Sequence, residues 1–152
     1  LRSCEQRTEG EAAAGSTRRH RFGVCDRIAA HAPGDDDRHG VAGYAATLRL
    51  LALPDRPTAI FCQNDRTAIG CYEALKEAGL SIPGDISVVG YDDEEISRHL
   101  HPALTTVVLP HRAMGQWAVE RLATARDSER PVHPVGLACT LVERNSVARP
   151  RG

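Results

Sequence analysis

Two short polar runs hold the residues best suited to chemistry. "QND" (63–65) follows the apolar run "TAIFC" (58–62), and "YDDEE" (91–95) follows "ISVVG" (86–90). An amide both donates and accepts hydrogen bonds, and a carboxylate accepts them from hydroxyls. Asn64 beside Asp92 would therefore suit a neutral polyhydroxyl ligand. Each acid also has a structural role open to it. Asp65 stands where the N-cap of the following helix belongs. Asp93, Glu94 and Glu95 fall in the first turn of the next helix, where acids meet exposed N–H groups and a favourable dipole. Asp92 with Glu95 has the spacing of a capping box. Spacing alone leaves Asp92 open between helix cap and ligand contact. Catalysis is not expected: carboxylates that hydrolyse a sugar flank the bond from separate elements, whereas these follow one another in one turn. No motif suggests Ser-His-Asp or Cys-His pairing, and His99 with His101 forms an H-x-H for which spacing places no third ligand. The expectation is a binding protein with no catalytic residue, no metal site and no cofactor.

Both runs sit where a strand gives way to a helix. After "QND", a helix from about Arg66 to Ala78 carries Ile69, Tyr72 and Leu75 on its inward face. Gly79 stands in the place of a left-handed cap, and "SIPGD" turns the chain into "ISVVGY". Strand, helix, strand at this spacing is a βαβ crossover with parallel strands buried on both faces. Ligands of open parallel sheets bind beyond the carboxyl ends of the strands, and consecutive strands of such units are usually neighbours. Asn64 and Asp92 are thus expected to face one crevice. Upstream, apolar spacing predicts a helix from Arg18 to about Ala30 through Phe22, Cys25, Ile28 and Ala29. A second is expected over Val41–Leu53, with Tyr44, Leu48 and Leu51 on one face, and "HAPGDDDRHG" (31–40) reads as a loop between them. Downstream, Glu94–Leu100 forms a short helix that stops before Pro102, and residues 103–109 are extended. A helix from about His111 to Thr124 aligns Met114, Trp117, Ala118, Arg121 and Leu122 on one stripe. "RPVHP" (130–134) is a linker, and "GLACTLVER" (136–144) a last strand. The class is α/β, a doubly wound parallel sheet.

Composition bounds the partners. The 152 residues, 41% hydrophobic and 26% charged, suffice for one globular domain. Net charge is −1 and only Lys76 among the 19 basic residues is lysine. The short "TRRHR" (17–21) is the nearest approach to a basic patch, so this chain is not expected to grip nucleic acid by itself. No apolar run approaches membrane-spanning length, and the opening "LRSCEQRTEGEAAAG" has neither a basic nor an apolar signal region. Five cysteines without a C-x-x-C pair fit a reduced, cytoplasmic setting.

From Pro57 to Val107 the chain closely resembles the sensor region of LacI/GalR-family transcription regulators. The ordered pieces are "PTAIF", "ND", "AIG…AL…GL.IP.D.SVVGYDD" and "P.LTTV..P…MG", followed by the final "LVERNS" (141–146). The likeness covers roughly 18–146. It implies a periplasmic binding protein-like (type I) sensor, cytoplasmic, in which two α/β subdomains close on a small effector such as a sugar or nucleoside. It implies effector contacts from Asn64, from Asp92 as the first acid of "GYDD", and from Arg18 in the "R-x-x-G-F" helix. Dimer contacts fall on the helix after "ND" and the short helix after "GYDD", implicating Ile69, Tyr72 and Leu100. Operator DNA would be bound only through a separate helix-turn-helix, and no membrane is involved.

Several departures bear on this reading. Arg21 replaces the glycine of "R-x-x-G-F". "DDDRHG" (35–40) offers no aromatic ring where relatives often place one against the ligand. The subdomain's first strand, expected just before Arg18, is not recognisable in residues 1–17, which read as a loose leader. Residues 18–146 thus read as an incomplete sensor, mainly its C-terminal subdomain, with 147–152 a tail. Within it, 107–125 would form a helix that in relatives packs on the other subdomain. Unpartnered, that stripe would expose apolar surface. Two other functions fit less well: a solute-binding protein of a transport system, which would need an export signal, and a non-functional truncated remnant.

Overall fold

The computed structural model describes residues 19–25, 38–125 and 135–150. Strand β1 (Phe22–Cys25), helix α1 (Arg38–Leu51), β2 (Ala59–Cys62), α2 (Asp65–Glu77) and β3 (Ser87–Val89) form the body. Helix α3 (Ile96–His99), β4 (Thr106–Val107), α4 (His111–Ala125) and β5 (Leu141–Val142) complete it. The sheet order is β1-β2-β3, all parallel, with Ala59 opposite Ser87 and Ile60 opposite Val88. The βαβ unit and its parallel, neighbouring strands are as the sequence predicts. Beyond β3 the pairing continues into the crossing segment through single bridges, Val89 to Thr105 and Asp92 to Val108. There β4 turns antiparallel against β5.

The core lies between the sheet and helices α1 and α2. Ile60, Cys62, Ala68, Cys71, Leu75, Ile86, Val88 and Leu104 are closed to solvent. Helix α2 ends as its sequence dictates. Gly79 takes φ +69, its N–H donates to the Lys76 carbonyl, and the Leu80 N–H donates to the Leu75 carbonyl. These two hydrogen bonds make the glycine-capped helix end.

Three expectations need correction. The helix predicted from Arg18 is interrupted, because residues 22–25 are strand β1, bonded to the edge of β2; Ile28 and Ala29 lie outside the described residues. Glycine is a poor helix former. Gly23 also lets the chain close onto the Leu50 and Pro57 side chains, each 3.1 Å from where a Cβ would sit. The alternation of strand geometry leaves Phe22 and Val24 72% and 61% exposed on the other face. Second, α1 begins at Arg38, inside the segment read as loop. Gly43, Ala46 and Thr47 are its buried residues, with Leu50 and Leu51 packed against the core; of the expected face Leu51 is inward, Tyr44 half-buried and Leu48 42% exposed. Gly40, Gly43 and Gly70 let α1 approach α2 at the backbone. Third, α3 is confined to Ile96–His99.

A Cβ on Gly70 would lie 1.8 Å from the Gly40 carbonyl oxygen, and one on Gly43 2.1 Å from the Thr67 carbonyl oxygen. Both neighbours are backbone and cannot swing away. Gly70→Ala would improve helix propensity by about 1 kcal/mol at an exposed site. Here it should instead lower stability by about 1–3 kcal/mol, measured as a fall in the urea midpoint. An unchanged or raised midpoint would show that the two helices are not in backbone contact.

Candidate functional site

The carboxyl ends of β2 and β3 are joined directly: the Asp65 N–H donates to the Tyr91 carbonyl at 2.9 Å. Asn64 stands just outside β2 with extended backbone (φ −153°, ψ 171°), and its Oδ1 accepts the Thr67 N–H at 2.8 Å. Asn64, not Asp65, is therefore the N-cap of α2. This use occupies its side-chain oxygen, and the residue is half-buried.

Asp65 does something else. Its side chain is fully buried. Oδ2 accepts the Glu94 N–H at 2.8 Å, and Oδ1 accepts the Thr106 hydroxyl at 2.6 Å. Burial raises its pKa from the ordinary 3.8, while these two hydrogen bonds oppose the rise and nearby Asp92 and Glu94 add to it. The carboxylate is seated against Gly90, where a Cβ would come within 2.2 Å of Oδ1. The glycine before "YDD" is thus a consequence of the aspartate after Asn64.

The acids of "YDDEE" separate by role. Asp93, at φ +54°, accepts from Arg144 Nη2 at 2.6 Å; both side chains are largely buried, at 16% and 13% exposure. Arg144 also donates to the Ser97 hydroxyl (3.0 Å) and the Leu104 carbonyl (2.8 Å). Glu94 pairs with Arg66 at 2.9 Å, and exposed Glu95 lies 3.8 Å from His99. None of these acids lies in the first turn of a helix, because α3 starts only at Ile96. The left-handed backbone at Asp92 and Asp93 and the capture of the Glu94 N–H by Asp65 prevent an earlier start. The capping-box alternative for Asp92 is also unmet: Glu95 is the α3 cap residue, and no side chain bonds there.

That leaves Asp92. Its N–H donates to the Val107 carbonyl at 2.8 Å, and its φ is +109°. Among the described residues none donates a hydrogen bond to its carboxylate, and the residue is half-buried. Burial raises its pKa, as does Glu94, while His111 and Arg66 pull it down. A half-buried carboxylate that takes no hydrogen bond from a described residue can accept from hydroxyl or ring N–H groups of a ligand.

The remaining sequence candidates distribute as follows. Arg18 lies outside the described residues. Ile69, Tyr72 and Leu100 line a groove of about 570 Å³ between α2 and the segment after α3. Within it Tyr72 is chiefly a core residue, its hydroxyl donating to the Pro102 carbonyl at 3.0 Å, and burial pushes that hydroxyl's pKa up. A neighbouring groove of about 890 Å³ is lined by Gly40, Tyr44, Arg66, Ile69 and Glu94 among others. Neither groove contains Asn64 or Asp92, both of which are half-buried. Among the described residues no three of His, Cys, Asp and Glu are grouped to hold a metal ion, and no helix is long and apolar enough to cross a membrane. Sequence reasoning assigned no role to Thr106, Arg144 or Ser146. Ser146 is fully buried; its hydroxyl donates to the Val88 carbonyl and accepts the Thr105 N–H. The "RNS" of the last segment was the available signal for both Arg144 and Ser146.

Comparison with known proteins fits this geometry. A periplasmic binding protein-like domain matches residues 6–147. The HTH-type transcriptional repressor PurR of Pectobacterium atrosepticum is 44% identical over 108 residues, 70% of this chain. The chain spans about a third (32%) of that repressor's length. A dimeric Lac repressor structure superposes with a TM-score of 0.64 at 36% identity, covering 74% of this chain and 41% of that one. A LacI family regulator from Enterococcus faecalis, solved with bound ribose, gives 0.63 at 34% identity, covering 74% and 42%.

The carboxylate assignments fix a pH dependence. Folding raises the pKa of Asp92, so above the ordinary 3.8 the native state binds the proton more tightly than the unfolded chain. Native stability from this group therefore grows as pH falls through its folded value, and it is lost as pH rises. Asp92→Asn removes the charge and keeps a residue that tolerates positive φ. The variant should have a higher urea midpoint than the unmodified chain at neutral pH, and the gap should close below pH 3.8. A lower midpoint for the variant at neutral pH would mean that the carboxylate has a stabilising partner.

Proposed function

The chain belongs to the periplasmic binding protein-like domain family and is part of the sensor domain of a LacI/GalR-type regulator; from this premise we propose that it supplies one wall of an effector cleft and one face of a homodimer. The observation that carries the proposal is the Asp92 carboxylate, the one half-buried acid of its run that takes no hydrogen bond from a described residue, in the turn whose Tyr91 carbonyl accepts the Asp65 N–H next to Asn64. The effector is a small neutral polyol. Asp92 accepts its hydroxyls, and the Asn64 amide group fixes its orientation. Arg18 is not carried into this site, because Phe22 of the helix motif that suggested it lies in strand β1. A relative solved with ribose supports this class. Ile69 and Leu100 rim the dimer groove, with Tyr72 forming its floor. Operator DNA is contacted through a helix-turn-helix outside this chain, in keeping with a net charge of −1. The regulator acts in the cytoplasm as a binding protein, not an enzyme.

Titration of the isotope-labelled chain with D-ribose tests the site. One wall of a cleft should bind weakly, with a dissociation constant of about 1 mM or more, equivalent to about 4 kcal/mol or less. Amide resonances of Asn64 and Asp92 should move first. Asp92→Gly, which keeps the backbone free to hold positive φ, should abolish the response. Shifts confined to other residues, or a response that survives Asp92→Gly, would remove the assignment.

A further inference from the structure

Asp92 owes its place to a residue that has no access to a ligand. Its φ of +109° lies where L side chains are rare, so the surroundings must determine it. Two attachments follow it in the chain. At the next residue the Arg144–Asp93 ion pair holds the turn to the segment after β5. One residue further the Glu94 N–H is held by Asp65, whose second oxygen is bonded to Thr106 of β4. Asp92 itself is tied to that crossing segment through the Val107 carbonyl. One buried carboxylate therefore fixes the turn and the segment to which Asp92 bonds. Gly90 leaves it the room to do so.

We propose that Asp65 is a positioning residue for the effector site: through the Glu94 N–H and the Thr106 hydroxyl it holds the Asp92 turn in its left-handed conformation and so positions the Asp92 carboxylate. This rests on the assignment of Asp92 as an effector contact, and it adds a residue that never touches the effector. A helix cap would not behave this way, since Asn64 already caps α2.

The test uses the labelled 152-residue chain without ligand. A residue at positive φ brings its amide and α protons close together, so Asp92 should give a strong intraresidue cross-peak in a nuclear Overhauser spectrum. Asp65→Ala should reduce that cross-peak about twofold or more and move the Glu94 amide resonance upfield. Asp65→Asn, whose amide oxygen can still accept the Glu94 N–H, should retain most of it. The Asp92 response to D-ribose should fall in the same order. A variant Asp65→Ala that melts earlier while the Asp92 cross-peak keeps its intensity would overturn the proposal, because it would show a purely structural role. Should Asp65→Ala fail to fold, Thr106→Val decides: it removes one donor, and an unchanged Asp92 cross-peak with an unchanged Glu94 amide would likewise overturn it. Because the cross-peak needs no ligand, a chain in which it responds as expected but D-ribose has no effect would refute the effector assignment alone.

Discussion

A carboxylate removed from water must be bonded or neutralised. Asp65 meets this demand with one backbone N–H and one hydroxyl drawn from two distant segments. Much of the local architecture follows from it. The donors must come to Asp65, so the turn after β3 bends back over the start of α2, and the crossing segment passes close enough for Thr106 to reach. The carboxylate needs room against the backbone of residue 90, which only glycine gives. Removing either donor would leave a buried acceptor short of a partner, typically at about 1–3 kcal/mol. The same bond prevents the acidic run from starting a helix at once, and so leaves Asp92 pointing away from any cap.

This explains how one run of four acids serves four purposes. Asp93 is consumed by Arg144, Glu94 by Arg66 and, through its N–H, by Asp65, and Glu95 stands exposed near His99. Asp92 is left over, partly desolvated and without a donor among the described residues. Burial without a partner raises a carboxyl pKa, a condition that a ligand's hydroxyl donors would relieve. Helix α4 shows a second unfilled demand. Val119 and Leu122 are 67% and 72% exposed, and the Arg121 guanidinium lies 5.9 Å from the centre of the half-buried Trp117 ring.

Elements set by short-range rules were legible in the sequence. The βαβ unit, the left-handed Gly79 cap and the shared end of β2 and β3 follow from period, turn residues and crossover geometry. What escaped was decided by long-range contact. Gly23 reads as a flaw in a helix until the edge of β2 offers its hydrogen bonds. Nothing in the local sequence marks Gly43 and Gly70 as the place where α1 and α2 meet. Asp65 reads as a cap by position, because nothing in its neighbourhood announces Thr106, 41 residues away. For the site, Asn64 and Asp92 were candidates from strand ends and family motif together, whereas the contacts of Arg144 and Ser146 required the folded chain.

Amide hydrogen exchange at Glu94 tests the central interaction most directly. An N–H donated to a fully buried carboxylate opens only when the surrounding unit opens. The Glu94 amide should therefore exchange as slowly as those of Ile60 and Val88 in the sheet, although it lies in a surface turn. Exchange at the rate of an open loop, with the sheet amides still protected, would mean that Asp65 does not hold the turn.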